Sequence, residues 1–148
     1  MKIAIGSDHG GYNLKETVKK HLAEKGIEFN DMGTYSTESC DYADYAAKTA
    51  IAVTSGEYDK GILICGTGIG ISITANKVKG IRAALCGDTF SARMSREHND
   101  ANILCMGERV IGAGLAVDIV DTWLNAEFTG GRHTNRVQKI IDFEKSML

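Results

Sequence analysis

The segment Cys65-Gly66-Thr67-Gly68-Ile69-Gly70 places a thiol directly before three glycines at alternate positions. Because glycines have no side chains, ligand oxygens can approach the backbone N–H groups, and a helix that starts here would favour negative charge. The turn therefore suits an anion, or an oxyanion that develops during a reaction. It does not fit a dinucleotide fingerprint, since Ile71 stands where the third glycine belongs, and no Lys-Ser/Thr pair follows to make a P-loop. A tight turn without a ligand is the structural alternative.

Two side chains compete for the role of a catalytic base. Cys86 and Cys105 also end apolar runs, where cysteine is usually a small hydrophobic residue. Only Cys65 precedes a glycine loop that opens a helix, where the macrodipole and free N–H groups favour a thiolate. The turn Gly6-Ser7-Asp8-His9-Gly10-Gly11 offers Asp8 as the other base, together with the imidazole of His9. Asp8 fits a helix N-cap equally well, but so many polar residues and glycines after one strand favour a site.

Further polar residues lie late in the chain. His98 and Asn99 follow the fourth predicted helix, and Arg109 follows the fifth strand. Arg93 and Arg96 are individually weak signals, since most arginines are solvated. Arg132 and Arg136, four residues apart near the start of a helix, could present one face to a phosphate. No set of His, Cys, Asp or Glu has the spacing of a structural zinc site.

The elements that must position these residues alternate between short apolar runs and amphipathic stretches, which is typical of α/β proteins. The pattern predicts strands at Lys2–Gly6, Ile27–Met32, Gly61–Cys65, Ile81–Cys86 and Asn102–Met106. It predicts helices after the first strand, from Tyr42 to about Gly56, over Thr89–His98, around Trp123 and over Asn135–Leu148. We therefore predict an α/β fold, a three-layer α/β/α Rossmann-like domain with a five-stranded parallel sheet, covering 1–148 as a single domain. Gly61–Cys65, the most apolar run, should lie in the middle of the sheet, and ligands should bind at the carboxyl ends of the strands.

Composition excludes several classes of function. The chain has 148 residues with 43% hydrophobic content, enough for one buried core. A net charge of -2 and a pI near 6.1 give no reason to expect nucleic acid as a partner. No apolar stretch is long enough for a bilayer, and no signal-peptide pattern is present, so we expect no membrane partner and a cytoplasmic location. The four scattered cysteines should be reduced thiols.

Taken together, the motifs at Ser7–Gly11, Cys65–Gly70, His98-Asn99 and Arg132-x-x-x-Arg136 resemble the ribose-5-phosphate isomerase B family, which is related to galactose-6-phosphate isomerase subunits. Their order and spacing match over essentially the whole chain. The resemblance implies an enzyme that interconverts ribose 5-phosphate and ribulose 5-phosphate through a cis-enediolate, with no metal and no cofactor. It also implies a homodimer in which both chains contribute to each active site.

The resemblance also implies roles for the matching residues. Cys65 would be the base that carries a proton between C2 and C1, and His98 would open the furanose ring. Part of the family uses a glutamate instead of the cysteine, but Ser72–Asn76 offers no carboxylate. Implied substrate contacts come from both turns and from the later residues: Asp8 to a sugar hydroxyl; Thr67 and the N–H groups of Gly66, Gly68, Ile69 and Gly70 to the enediolate oxygen; Asn99 to a substrate oxygen; and His9, Arg109, Arg132 and Arg136 to the phosphate.

Two alternatives stay open at this point. The substrate could be a six-carbon sugar or its phosphate, such as allose 6-phosphate or galactose 6-phosphate, because residues around Tyr42 and Arg132 set the pocket length. A non-catalytic module that binds a phosphate or nucleotide would also use the glycine turn. Replacing Cys65 tests the last alternative, because an enzyme should lose its turnover, whereas a binding module has no turnover to lose.

Overall fold

A computed structural model describes residues 1–148. Its strands are β1 (Lys2–Ser7), β2 (Glu28–Asp31), β3 (Lys60–Cys65), β4 (Ala83–Leu85) and β5 (Ile103–Gly107). All five are parallel and form one sheet in the order β2-β1-β3-β5-β4. β3 is the central strand, as its continuous apolar run predicts.

Six α-helices connect and cover the strands: α1 (Tyr12–Glu24), α2 (Tyr42–Thr54), α3 (Ile69–Ala75), α4 (Thr89–Glu97), α5 (Ala113–Asn125) and α6 (Arg132–Ser146). A short 3₁₀ turn, His9–Gly11, leads into α1.

Two apolar clusters lie on opposite faces of the sheet. Alternate β3 side chains divide between them: Ile62 and Ile64 face α1, α4 and α5, whereas Leu63 and Cys65 face α2 and α3. Side chains of a strand alternate between faces, so a strand covered on both sides must be apolar throughout. The predicted α/β/α architecture with a five-stranded parallel sheet is confirmed.

Two predicted elements, the fourth strand and the last helix, differ most from the structure. β4 has three residues instead of the six predicted over 81–86, because Ile81 N–H closes a turn onto the carbonyl of Val78 before the strand begins. The last helix starts at Arg132 and not at Asn135. Gly130 and Gly131 both have positive φ, which lets the chain turn sharply into α6 three residues early.

α6 is the least embedded helix. Only His133 and Val137 of its fifteen residues are buried, and Ile140 and Phe143 are exposed. None of the helices is long and apolar enough to cross a membrane.

Candidate active site

The thiol of Cys65 lies at the carboxyl end of the central strand, with its sulfur inside the glycine turn. The backbone N–H of Gly68 donates a hydrogen bond to Sγ over 3.0 Å. Gly68 has φ +79°, a left-handed conformation that glycine adopts without cost. The Thr67 hydroxyl oxygen accepts from the N–H of Ile69 at 3.1 Å, whereas the N–H groups of Thr67 and Gly70 have no partner in the chain. The turn therefore has free donors beside the sulfur, as an anion or oxyanion requires.

The turn that carries Asp8 and His9 packs directly on the Cys65 turn. A Cβ built at Gly10 would lie 3.2 Å from the backbone nitrogen of Gly66. The Asp8 carboxylate accepts a hydrogen bond from the N–H of Gly11 at 3.1 Å, so Asp8 is the N-cap of the 3₁₀ turn His9–Gly11. His9 Nδ1 lies 3.1 Å from the backbone nitrogen of Cys40 and 3.2 Å from its carbonyl oxygen, which fixes the imidazole ring at the same edge of the sheet.

Arg109 is attached to the same cluster through the backbone. Its N–H donates to the carbonyl of Gly66 at 3.0 Å, and the N–H of Glu108 donates to the carbonyl of Cys65 at 2.9 Å. The guanidinium lies against Gly66, where a Cβ would come within 3.1 Å of Nη1. The carboxyl edge of the sheet thus brings together Asp8, His9, the Cys65 turn and Arg109.

Tyr42 closes another side of this cluster. Its ring packs so closely on Gly70 that a Cβ there would lie 2.5 Å from Cζ. Next to the turn is a cleft of about 260 Å³. Thr67, Ile69, Leu85 and Val110 are among its lining residues, and the last three are exposed apolar side chains.

The remaining predicted site residues lie at the opposite edge of the sheet. α4 begins after the carboxyl end of β4 and runs back, so His98 and Asn99 follow it at the amino edge. There the carbonyl of Asn102 accepts the N–H of Gly61, at the start of β3. Since β3 has six residues, about 17 Å of strand separates this edge from Cys65.

Arg132 and Arg136 belong to this second group. Both the N–H and the hydroxyl of Thr129 donate to the carbonyl of Glu97, at 3.0 and 2.9 Å, which holds the start of α6 beside the end of α4. The imidazole of His133 stacks on that of His98 with ring centroids 4.0 Å apart. Burial, His98 and the flanking arginines lower the pKa of His133.

Sequence reasoning gave no role to four residues near His98: His133, which lies between the two arginines in sequence, Arg96, which counted only as a weak signal, and Arg82 and Asp100. The contacts of the last three are described below. Within one chain, the predicted site residues at the carboxyl edge of the sheet do not meet those at the amino edge. No cluster of three or more His, Cys, Asp or Glu side chains is placed to hold a metal ion.

Comparison with known proteins agrees with this geometry. A model of the family described as Ribose/Galactose Isomerase matches residues 3–140. The chain belongs to this family. Ribose-5-phosphate isomerase B of Escherichia coli strain K12 is 54% identical over 144 residues, 97% of each chain.

Solved structures of family members superpose along nearly the whole chain. Ribose-5-phosphate isomerase B of Clostridium thermocellum matches with a TM-score of 0.99 and 64% identity, covering 100% of both chains. Ribose-5-phosphate isomerase B of Mycoplasma genitalium with bound ribulose-5-phosphate matches with a TM-score of 0.92 and 43% identity, covering 97% of this chain and 96% of that one.

Proposed function

We propose that this protein is an aldose-ketose isomerase that interconverts ribose 5-phosphate and ribulose 5-phosphate through a cis-enediolate, and that residues 1–148 act as one domain. The observation that carries the proposal is a thiol placed inside a turn whose N–H groups are free to bind an oxyanion. Family membership and the ribulose-5-phosphate bound by the Mycoplasma genitalium relative support the choice of substrate.

The proposed chemistry at the carboxyl edge is proton transfer. The Cys65 thiolate removes the proton from C2 of the open-chain aldose, and the electron pair passes to the carbonyl oxygen at C1. The proton of the C2 hydroxyl moves to the C1 oxygen, and Cys65 delivers a proton to C1 as C2 becomes the carbonyl, which gives the ketose. Thr67 and the N–H groups of Thr67 and Gly70 stabilise the enediolate oxygen, and electrostatic stabilisation of this kind usually contributes more to catalysis than any other single effect.

The amino edge would supply the other functions. His98 opens the furanose ring, Asn99 binds a substrate oxygen, and Arg132 and Arg136 bind the phosphate together with His9 and Arg109 from the carboxyl edge. Two guanidinium groups suit a dianionic phosphate because each offers a planar fork of donors.

A homodimer would unite the two edges. Because about 17 Å of strand separates them in one chain, we infer that His98 of one subunit faces Cys65 of the other. Exposed apolar side chains at both edges support this arrangement: Ile69 and Val110 near the cleft, and Ile140 and Phe143 on α6. Such a surface is expected where a second copy binds.

Complementation between inactive variants tests the shared site. Cys65→Ala and His98→Asn are each expected to abolish turnover. In a mixed dimer one of the two sites would contain both native residues, so random co-assembly should restore about a quarter of the parent activity. If each chain builds its own site, the mixture stays inactive, and the shared-site proposal is wrong.

The same variants address the rival functions. If Cys65→Ala still binds ribose 5-phosphate while turnover is lost, Cys65 acts in the chemistry and not in binding alone. A parent protein that binds sugar phosphates but never isomerises them would be the binding module. Comparison of kcat/KM for ribose 5-phosphate, allose 6-phosphate and galactose 6-phosphate decides between five- and six-carbon substrates.

A further inference from the structure

The turn that follows His98 has an uncommon backbone. Asp100 has φ 48° and is the one residue other than glycine with positive φ. Side chains rarely adopt this left-handed region, although aspartate and asparagine tolerate it best. The reversal leaves the carbonyls of Asn99, Asp100 and Ala101 outside the helical hydrogen-bond ladder, and other groups must satisfy them.

Two arginines supply every one of those hydrogen bonds. Arg82 donates from Nε to the carbonyl of Asn99 at 3.0 Å and from Nη2 to that of Asp100 at 2.9 Å. Arg96 donates from Nη1 to the carbonyl of Ala101 at 2.7 Å and to the Asp100 carboxylate at 2.8 Å. We call Arg82, Arg96 and Asp100 the amino-edge clamp.

Arg96 is the buried member of the clamp. Arg96 is only 7% exposed and its guanidinium lies 5.8 Å from the ring centre of Trp123, which is fully buried. A buried guanidinium needs its carboxylate and carbonyl partners, because an unpaired buried charge is costly. Arg96 therefore favours the arrangement in which the Asp100 carboxylate and the carbonyl of Ala101 both accept from it, and this stabilises the turn that follows His98.

Resting on the proposed function, we propose that the amino-edge clamp is a positioning device for ring opening, acting through His98 and Asn99 without touching the substrate. Misplacement of a catalytic group by about 1 Å can cost on the order of 100-fold in rate. Ring opening depends on His98, whereas proton transfer between C2 and C1 depends on Cys65 and its turn, so loosening the clamp should disturb ring opening and leave the enediolate chemistry intact.

The two steps can be separated because they require different forms of the sugar. In ring opening, the C1 hydroxyl loses its proton as C1 becomes a carbonyl, the bond from C1 to the ring oxygen breaks, and that oxygen takes up a proton. Ribulose 5-phosphate cannot form a furanose, since its O5 carries the phosphate. Enolisation from the ketose therefore bypasses ring opening.

The experiment measures two rates for each variant. One is conversion of ribose 5-phosphate, and the other is deuterium uptake at C1 of ribulose 5-phosphate in D₂O, followed by NMR. For Asp100→Gly, which accepts the positive φ but removes the carboxylate, and for Arg96→Met, we expect conversion to fall about 10- to 100-fold with deuterium uptake within about twofold of the parent. His98→Asn should lose conversion altogether and also keep deuterium uptake.

Arg93→Met is the matched control. Arg93 lies on the same helix with its side chain 51% exposed, paired only loosely with Glu97 at 4.0 Å, and its loss should change neither rate. If the clamp variants lose both rates together, or lose neither, the positioning proposal is overturned. Melting temperature identifies a variant that simply fails to fold, and Asp100→Gly is then the deciding variant.

A second open-chain substrate covers the case in which the proton on Cys65 does not exchange with D₂O, because deuterium uptake would then report nothing for any variant. D-erythrose 4-phosphate cannot close a furanose ring, because its O4 carries the phosphate, so clamp variants should turn it over at the parent rate. A parent protein without isomerase activity on any of these sugars would refute the proposed function itself, which is a result distinct from failure of the clamp.

Discussion

Replacing Gly107 by alanine should displace the backbone of the Cys65 turn and so impair the candidate site. Gly107 ends β5 and pairs with Cys65 in the sheet. A Cβ on Gly107 would lie 2.5 Å from the carbonyl carbon and oxygen of Thr67. Both clashing atoms belong to the backbone of the turn, so no flexible side chain can move aside to relieve the contact.

The size of the effect follows from these distances. Ordinary contacts of a Cβ begin near 3.4 Å, so Thr67 must shift by about 0.9 Å. A shift of about 1 Å in groups that stabilise a transition state costs on the order of 100-fold in kcat. Overpacking of this kind also destabilises a fold by about 1–3 kcal/mol.

Steady-state kinetics with ribose 5-phosphate, together with urea unfolding, measure both effects. Gly87→Ala is the matched control, because Gly87 lines the same cleft and a Cβ there meets nothing within 4 Å. The control should keep parental kinetics. If Gly107→Ala keeps kcat/KM within about threefold of the parent, the position of the Thr67 backbone does not govern catalysis, and the oxyanion role of the turn is refuted.

Three further predictions concern buried or partly buried ionisable groups. Lys15 is fully buried and forms an ion pair with Asp31 at 2.6 Å. Lys15→Met should therefore lower the free energy of unfolding, measured by urea titration, by about 3–5 kcal/mol. The control Lys20→Met changes an exposed residue on the same helix and should alter that free energy by no more than about 0.5 kcal/mol. Burial alone would raise the pKa of Asp31, but hydrogen bonds from two lysines and a backbone N–H lower it below its ordinary 3.8. Its carboxylate therefore stabilises the fold above pH 3.8, and that contribution is lost as the pH falls through the lowered pKa. Unfolding midpoints between pH 5 and pH 2 should drop more steeply in the parent than in Asp31→Asn. Burial also raises the pKa of the Cys86 and Cys105 thiols; mass spectrometry should find both unmodified by iodoacetamide at pH 8 in the folded protein and alkylated in urea.

Much of the fold could be predicted from local pattern. The run at Gly61–Cys65 predicts a strand buried on both faces, and the structure places it at the centre of the sheet. Asp8, Cys65 and Arg109 could be predicted to meet because each follows a strand, and the carboxyl ends of parallel strands share one edge. The predicted start of α6 was wrong, since two consecutive glycines with positive φ leave no trace in hydrophobic periodicity.

The amino edge could not be predicted in the same way. The stacking of His133 on His98 depends on how a return loop seats α6, and those rings are 35 positions apart in sequence. The bonds from Arg82 to the turn at Asp100 span 18 positions and follow no helical or strand period. An arginine that binds carbonyls looks, in sequence, like any solvated arginine.

The placement of Cys65 and His98 on opposite edges of one sheet has a consequence for gene dosage. If the active site needs both edges, a newly synthesised chain is folded but inactive, and it gains activity only when it dimerises. Activity in the cell would then rise faster than in proportion to the amount of protein while copies are scarce, and in proportion once they are plentiful. Because the parallel sheet separates the two edges, the activity per molecule of enzyme would depend on the concentration of the enzyme itself.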